Sequence, residues 1–170
     1  MGTITFLKKT IKIAGIFTSL LVLISFKTDN NDLERKDVQV VLVIDTDGIN
    51  VQNLDTKVLF VNVGDSTSSR TGNPSNFITK VYKNKKIQWS AVPKDETSGL
   101  TIDVLFVFRK QDGGVEMVDD YDYDKSKKGV VVAKIKNKKV EGFENYNVIF
   151  RINEEPVRTF QVDPKLQMVP

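Results

Sequence analysis

From Val38 onward the chain alternates with a period of two, and this constrains the fold more than any other feature. In "LTIDVLFVF", Leu100, Ile102, Val104, Phe106 and Phe108 fall on one side and Thr101 and Asp103 on the other. Successive side chains of a strand point to opposite faces, so this pattern predicts a strand with one face in a core. "ENYNVIFRI" behaves likewise, with Tyr146, Val148, Phe150 and Ile152 together. "KKIQWSAV" groups Ile87, Trp89 and Ala91, and "GVVVAKIK" groups Val131, Ala133 and Ile135. Phe106 and Phe150, both mid-strand, are expected in the core. Strands are expected near 38–45, 56–63, 77–82, 85–92, 100–109, 114–118, 129–136, 143–153 and 156–163. "DTDGIN", "GNPSN", "PKDETSG", "QDGG" and "INEEP" supply turn residues between them. No long window repeats every 3.6 residues. The expected fold is an all-β antiparallel β-sandwich, Ig-like or jelly-roll-like, over residues 38–170. The lysines of 134–139 suggest an edge strand protected by charge.

The first residues follow other rules. Met1–Lys12 contains Lys8, Lys9 and Lys12 and no acid, and Ile13–Phe26 is uncharged and apolar. A basic start and a short apolar run form the signal-peptide pattern. The run is shorter than the ~20 residues that cross a bilayer. Residues 1–26 are therefore expected to be a signal peptide or an N-terminal anchor, and 27–37 a polar linker. The implied location is periplasmic, cell-surface or extracellular, with membrane contact only through an uncleaved N-terminal segment. Without residues 1–26 the acidic and basic side chains balance, at 22 each. The basic character of the whole chain is thus no footprint for nucleic acid.

The chain has no cysteine and no histidine. This excludes disulfides, Ser-His-Asp and Cys-His catalysis, and the ordinary ligand sets of zinc, copper and haem. Carboxylates, Lys, Tyr, Ser and Thr remain for any chemistry.

Two stretches invite a site. "VVLVIDTDGIN" ends an apolar strand in Asp45-Thr46-Asp47-Gly48. This resembles the first motif of the haloacid-dehalogenase-type phosphatases, with Ser66 or Thr67, Lys80 and Asp119-Asp120 as superficial counterparts of the rest. That family needs a parallel sheet with crossover helices, for which this chain has no room. Asp-Gly is also the commonest short hairpin signal, and a type I′-like turn is the expectation here. The second stretch, "MVDDYDYDKSKKG", crowds Asp119, Asp120, Asp122 and Asp124 into a loop followed by Lys125, Lys127 and Lys128. Oxygen-rich loops hold Ca²⁺ when six or more oxygens converge. A solvated acidic loop neutralised by the lysines is the competing reading. If the segment alternates as a strand, Asp120, Asp122 and Asp124 share one side, and Tyr121 and Tyr123 the other. Tyr121 and Tyr123 are the candidate ligand-binding aromatics, while Trp89 reads as core.

The signal segment, "KKIQWSA" and the ending "YNVIFRINEEPVRTFQVDPKLQMV" resemble small exported β-sandwich proteins of Bacteroidota. That ending reads as a hairpin closed by Asp163-Pro164-Lys165. The opening "VQVVLVIDT" and the "DPKL" ending are similar to the PixA-type inclusion-body family. Both resemblances imply a β-sandwich and assign no functional residues.

The functional expectation is an exported, non-enzymatic binding or structural module without a cofactor, whose partner is a protein or a glycan. One alternative is a carbohydrate-binding or Ca²⁺-dependent adhesion module. Another is a glycosidase, which would need two carboxyls about 5–10 Å apart across a cleft.

Overall fold

The computed structural model describes residues 36–63 and 73–169. The expected signal segment, most of the linker and most of the Gly64–Asn76 loop lie outside the described residues.

Among the described residues, ten strands form two five-stranded sheets. The first sheet has the order β2 (Val58–Val63), β1 (Val38–Ile44), β4 (Lys86–Pro93), β7 (Val131–Ile135), β6 (Val118–Asp124). The second runs β3 (Ile78–Tyr82), β10 (Lys165–Val169), β8 (Glu144–Asn153), β5 (Thr101–Gly114), with β9 (Arg158–Val162) also on β8. The all-β expectation holds. The description "antiparallel" needs correction, because the sheets are mixed: β1 lies parallel to β4, and β3 parallel to β10. Parallel neighbours require a crossover. Here consecutive strands cross between the sheets: β3 and β4 are joined by a tight turn at Lys83–Lys85, where Asn84 has φ +61°, yet lie in different sheets.

The core between the sheets follows the period-two faces. Val40, Leu42 and Ile44 of β1, Ile87 and Trp89 of β4, and Tyr146, Val148, Phe150 and Ile152 of β8 are all buried. Trp89 reaches Tyr146 across the core, with ring centroids 5.5 Å apart and the indole Nε1 donating to the phenol oxygen at 3.1 Å. Burial raises the Tyr146 hydroxyl far above the usual phenol range.

Four expectations fail, each for a physical reason. Phe106 is 61% exposed and Phe108 40%. Val104 pairs with Phe150, but Phe106 pairs with the next residue of β8, Ile149, so Leu105 is an extra residue on β5. A bulge of this kind reverses the alternation beyond it. Val107 therefore turns inward, while Phe106 and Phe108 turn outward.

The lysines of β7 do not mark an edge, since β7 pairs with both β4 and β6. The edge is β6.

The Asp45–Gly48 stretch is not a two-residue hairpin. Asp45 N donates to Lys57 O at 2.8 Å, and the residues between include a helical turn, α1 (Leu54–Lys57). Gly48, at φ +61°, keeps the turn conformation inside this longer loop.

The last expected hairpin is one interrupted strand. Val162 faces Val148 and Lys165 faces Asn145, three residues further along each strand, so β9 and β10 share one register on β8. Pro164 has no N–H for the ladder, and the pairing breaks there.

Candidate ligand groove and the acidic strand

The four aspartates lie on strand β6 rather than in a loop. Asp120 faces Lys134 and Asp124 faces Val132, so four steps along β6 match two along β7. The irregularity breaks the expected alternation. Tyr121 turns inward to stack on Trp89, with centroids 6.4 Å apart. Tyr123 turns out beneath two ammonium groups, Lys86 Nζ at 4.9 Å and Lys134 Nζ at 5.5 Å.

Local partners occupy three of the carboxylates. Asp120 accepts from Asp122 N at 2.8 Å, Asp124 accepts from Ser126 N at 2.9 Å, and Asp122 pairs with Lys125 at 3.2 Å. The hydrogen bonds from Ser126 hold the Asp124 carboxyl below its ordinary range. Asp119 is exposed. Among the described residues, no three acidic groups come together as a metal would require. As an edge strand, β6 carries charges that oppose pairing with another strand.

Tyr121, expected at the surface, is half-buried, and its hydroxyl donates to Glu144 Oε1. Burial first, and then the Glu144 charge, push that hydroxyl far above the usual phenol range. Tyr123 remains 42% exposed.

Glu144 joins this site without belonging to either of the two stretches that invite one in the sequence. It is fully buried on β8, and its Oε2 accepts from Met117 N and, at 3.0 Å, from Val118 N. Three donors on one carboxylate tie β8 of the second sheet to β6 of the first. A signal was present: Glu144 stands two residues before Tyr146, in phase with the core face. Among the described residues it is the only buried carboxylate.

Beside β6 a groove of about 320 Å³ opens between the edge of β5 and the 125–130 connection. Leu105, Phe106 and Tyr121 line it together with the charged Asp122, Asp124, Lys125, Lys127 and Lys128. Gly129 makes the close approach possible. It has φ +74°, and a Cβ there would meet Asp103 Oδ1 at 2.5 Å. Its carbonyl accepts from Val104 N at 3.0 Å, which fixes the connection to the β5 edge. Asp103 in turn accepts from Arg151 at 2.8 Å and from Asn153 at 3.1 Å. The bonds from Asn153 and then Arg151 outweigh partial burial and hold the Asp103 carboxyl below its ordinary range.

Asp45 sits at the other end of the first sheet's β1, within 3.3 Å of both Lys57 and Lys94. Desolvation raises its pKa, but the two lysines outweigh it and the net shift is downward. Asp47 lies in the adjoining turn.

No family model and no curated protein matches this chain. Among solved structures, the fold is similar to the crystal structure of an inclusion body protein (PixA) from Burkholderia cenocepacia. The TM-score is 0.55 at 16% identity, over 83% of this chain and all of the other. This likeness concerns the fold. It agrees with the PixA-type resemblance of "VQVVLVIDT" and "DPKL", and does not bear on the Bacteroidota resemblance.

Proposed function

We propose that this protein is an exported, non-enzymatic binding or structural module whose ligand seats in the groove between β5 and β6. The observation that carries the reading is Phe106, a large apolar side chain 61% exposed at a groove rimmed by Lys127 and Lys128. An exposed aromatic beside charged groups of both signs, Asp122 and Asp124 with Lys127 and Lys128, suits a ligand with an apolar face and polar substituents, as on a protein or a glycan. The structural half of the reading draws on the neighbour, which is itself an inclusion body protein. Export rests on Met1–Phe26 and is tested by the N-terminal mass of protein recovered from its native host.

The groove is tested on a glycan and peptide array with the full chain, with and without Ca²⁺. Binding that falls about tenfold or more in Phe106→Ser, and that is indifferent to Ca²⁺, is the expected result. Binding that requires Ca²⁺ and is lost in Asp122→Asn would move the site to β6 and favour the adhesion reading. Binding unaffected by Phe106→Ser would remove the groove from consideration.

A further inference from the structure

The outer face of the second sheet carries two aromatic rings in line. Phe106 and Phe108 stand two positions apart on the same side of β5, 61% and 40% exposed. The rise of a strand sets their attachment points about 6.7 Å apart. Phe106 lines the groove and Phe108 does not, so the aromatic surface continues from the groove onto the open sheet. Exposing both rings forgoes their burial, and contiguous exposed apolar surface marks binding sites. Register sets Ile149 of β8 and Gln161 of β9 beside Phe106, and Asn147 of β8 beside Phe108. Gln161 is exposed and donates to the Asn147 carboxamide oxygen at 3.1 Å. Thr159, also exposed, follows on the same side of β9. The charges that flank this strip along β8 and β9 are already paired, Asp103 with Arg151 at 2.8 Å and Lys110 with Asp163 at 3.1 Å.

We propose that this strip binds an uncharged oligosaccharide, whose sugar rings stack on Phe106 and Phe108 while their hydroxyls meet Gln161, Asn147 and Thr159. A pyranose presents C–H groups on its ring face and hydroxyls at its edge. The negative face of an aromatic ring receives the C–H groups. Amides and hydroxyls both donate and accept, as sugar hydroxyls do. Charge complementarity selects a neutral ligand, because the flanking ions satisfy one another. Area also favours a sugar chain over a protein. The two rings together expose roughly one whole aromatic side chain, about 200 Å², against about 800 Å² per partner in a stable protein interface. The inference rests on the proposed binding reading at Phe106 and extends it across the sheet, and Phe108 separates the two.

The test is titration calorimetry of the full chain with cellohexaose, mannohexaose and N-acetylated chitohexaose, and with hexagalacturonate as the charged comparison. At least one neutral hexasaccharide is expected to bind, with dissociation at about 0.1 to 1 mM as suits an open face, and more tightly than hexagalacturonate. Phe108→Leu keeps the apolar bulk and loses the ring, and should weaken binding about fivefold or more. Phe108→Tyr keeps the ring and should stay within about twofold. Trp89, the single tryptophan and fully buried, reports by its fluorescence that each variant is folded. No binding of any neutral hexasaccharide, or tighter binding of hexagalacturonate, would overturn the proposal. So would undiminished binding in Phe108→Leu, which a merely apolar protein contact allows. Binding indifferent to Phe108→Leu but lost in Phe106→Ser would overturn the strip and leave the groove reading standing, so the two failures are told apart.

Discussion

On the outward side of the second sheet, Asp103 meets Arg151 and Asn153, Gln161 donates to Asn147 at 3.1 Å, and Lys110 reaches Asp163 at 3.1 Å. On the outward side of β2, β1 and β4, register sets three rows where such partners would be: Leu59, Val43 and Val92, then Val61, Val41 and Ser90, then Val63, Gln39 and Gln88. Both sheets present apolar inner faces to one core, so packing did not impose the difference. It lies in what each outer face meets. Exposed ion pairs contribute little each, commonly below about 1 kcal/mol, but they keep a face wet and discourage association. The valine face carries no such charges, and none of its residues is exposed. The aromatic pair Phe106 and Phe108 is the exception on the polar side, and it sits there because one bulge turned it out.

The comparison breaks most visibly if the inside and the outside of the second sheet have been exchanged. Phe150 is fully buried, and Phe150→Ala should cost about 3–5 kcal/mol in urea unfolding, whereas Phe106→Ala should cost under about 1 kcal/mol. Equal losses would place the bulge elsewhere.

The seam where the sheets are tied comes next in size. Glu144→Ala leaves two buried N–H groups and the Tyr121 hydroxyl without their acceptor, and a loss of about 3 kcal/mol is expected. Tyr121→Phe should cost less, about 1 kcal/mol, because the carboxylate keeps its backbone donors.

The polar face should titrate. The folded-state pKa of Asp103 lies below its unfolded value, so its contribution is present above the ordinary carboxylate range and is lost as pH falls through the lowered value. Asp103→Asn should therefore flatten part of the acid limb of a stability–pH curve below about pH 4 while leaving its neutral region nearly level. An unchanged acid limb would show that Asn153 and Arg151 do not hold this carboxyl. Smallest is Tyr123→Ala, which removes an exposed contact with Lys86 and Lys134 and should cost no more than about 1 kcal/mol.

Much of this architecture was legible in residue patterns, for reasons that particular strands make plain. β8 keeps a large apolar residue at every second position from Tyr146 to Ile152, so its core face could be read directly. β5 begins the same way, but Leu105, Phe106, Val107 and Phe108 are all apolar, and such a run hides a change of phase. β6 was hidden by its composition: Asp119, Asp120, Asp122 and Asp124 read as loop, yet an edge strand has a use for them. β10 was missed because Pro164 reads as a terminator, while it only interrupts one ladder before the chain joins β3. The groove was not legible, because Leu105 and Gly129 meet through the fold and are distant in sequence. The valine face was partly legible in "VQVVLVI" and "VLFVNV", whose outward positions are apolar except for Gln39, but only the pairing of β1 with β2 and β4 assembles them.

The difference between the two outer faces is tested most directly by a single spin label on each. The chain has no cysteine, so Val61→Cys and Phe106→Cys give unique attachment points on the first and second sheets. Phe106 is 61% exposed, whereas none of the nine residues in the three rows on β2, β1 and β4 is exposed. A label at position 106 should be reached readily by a water-soluble relaxation agent, and one at position 61 much less so. Two labels of equal accessibility would contradict the account.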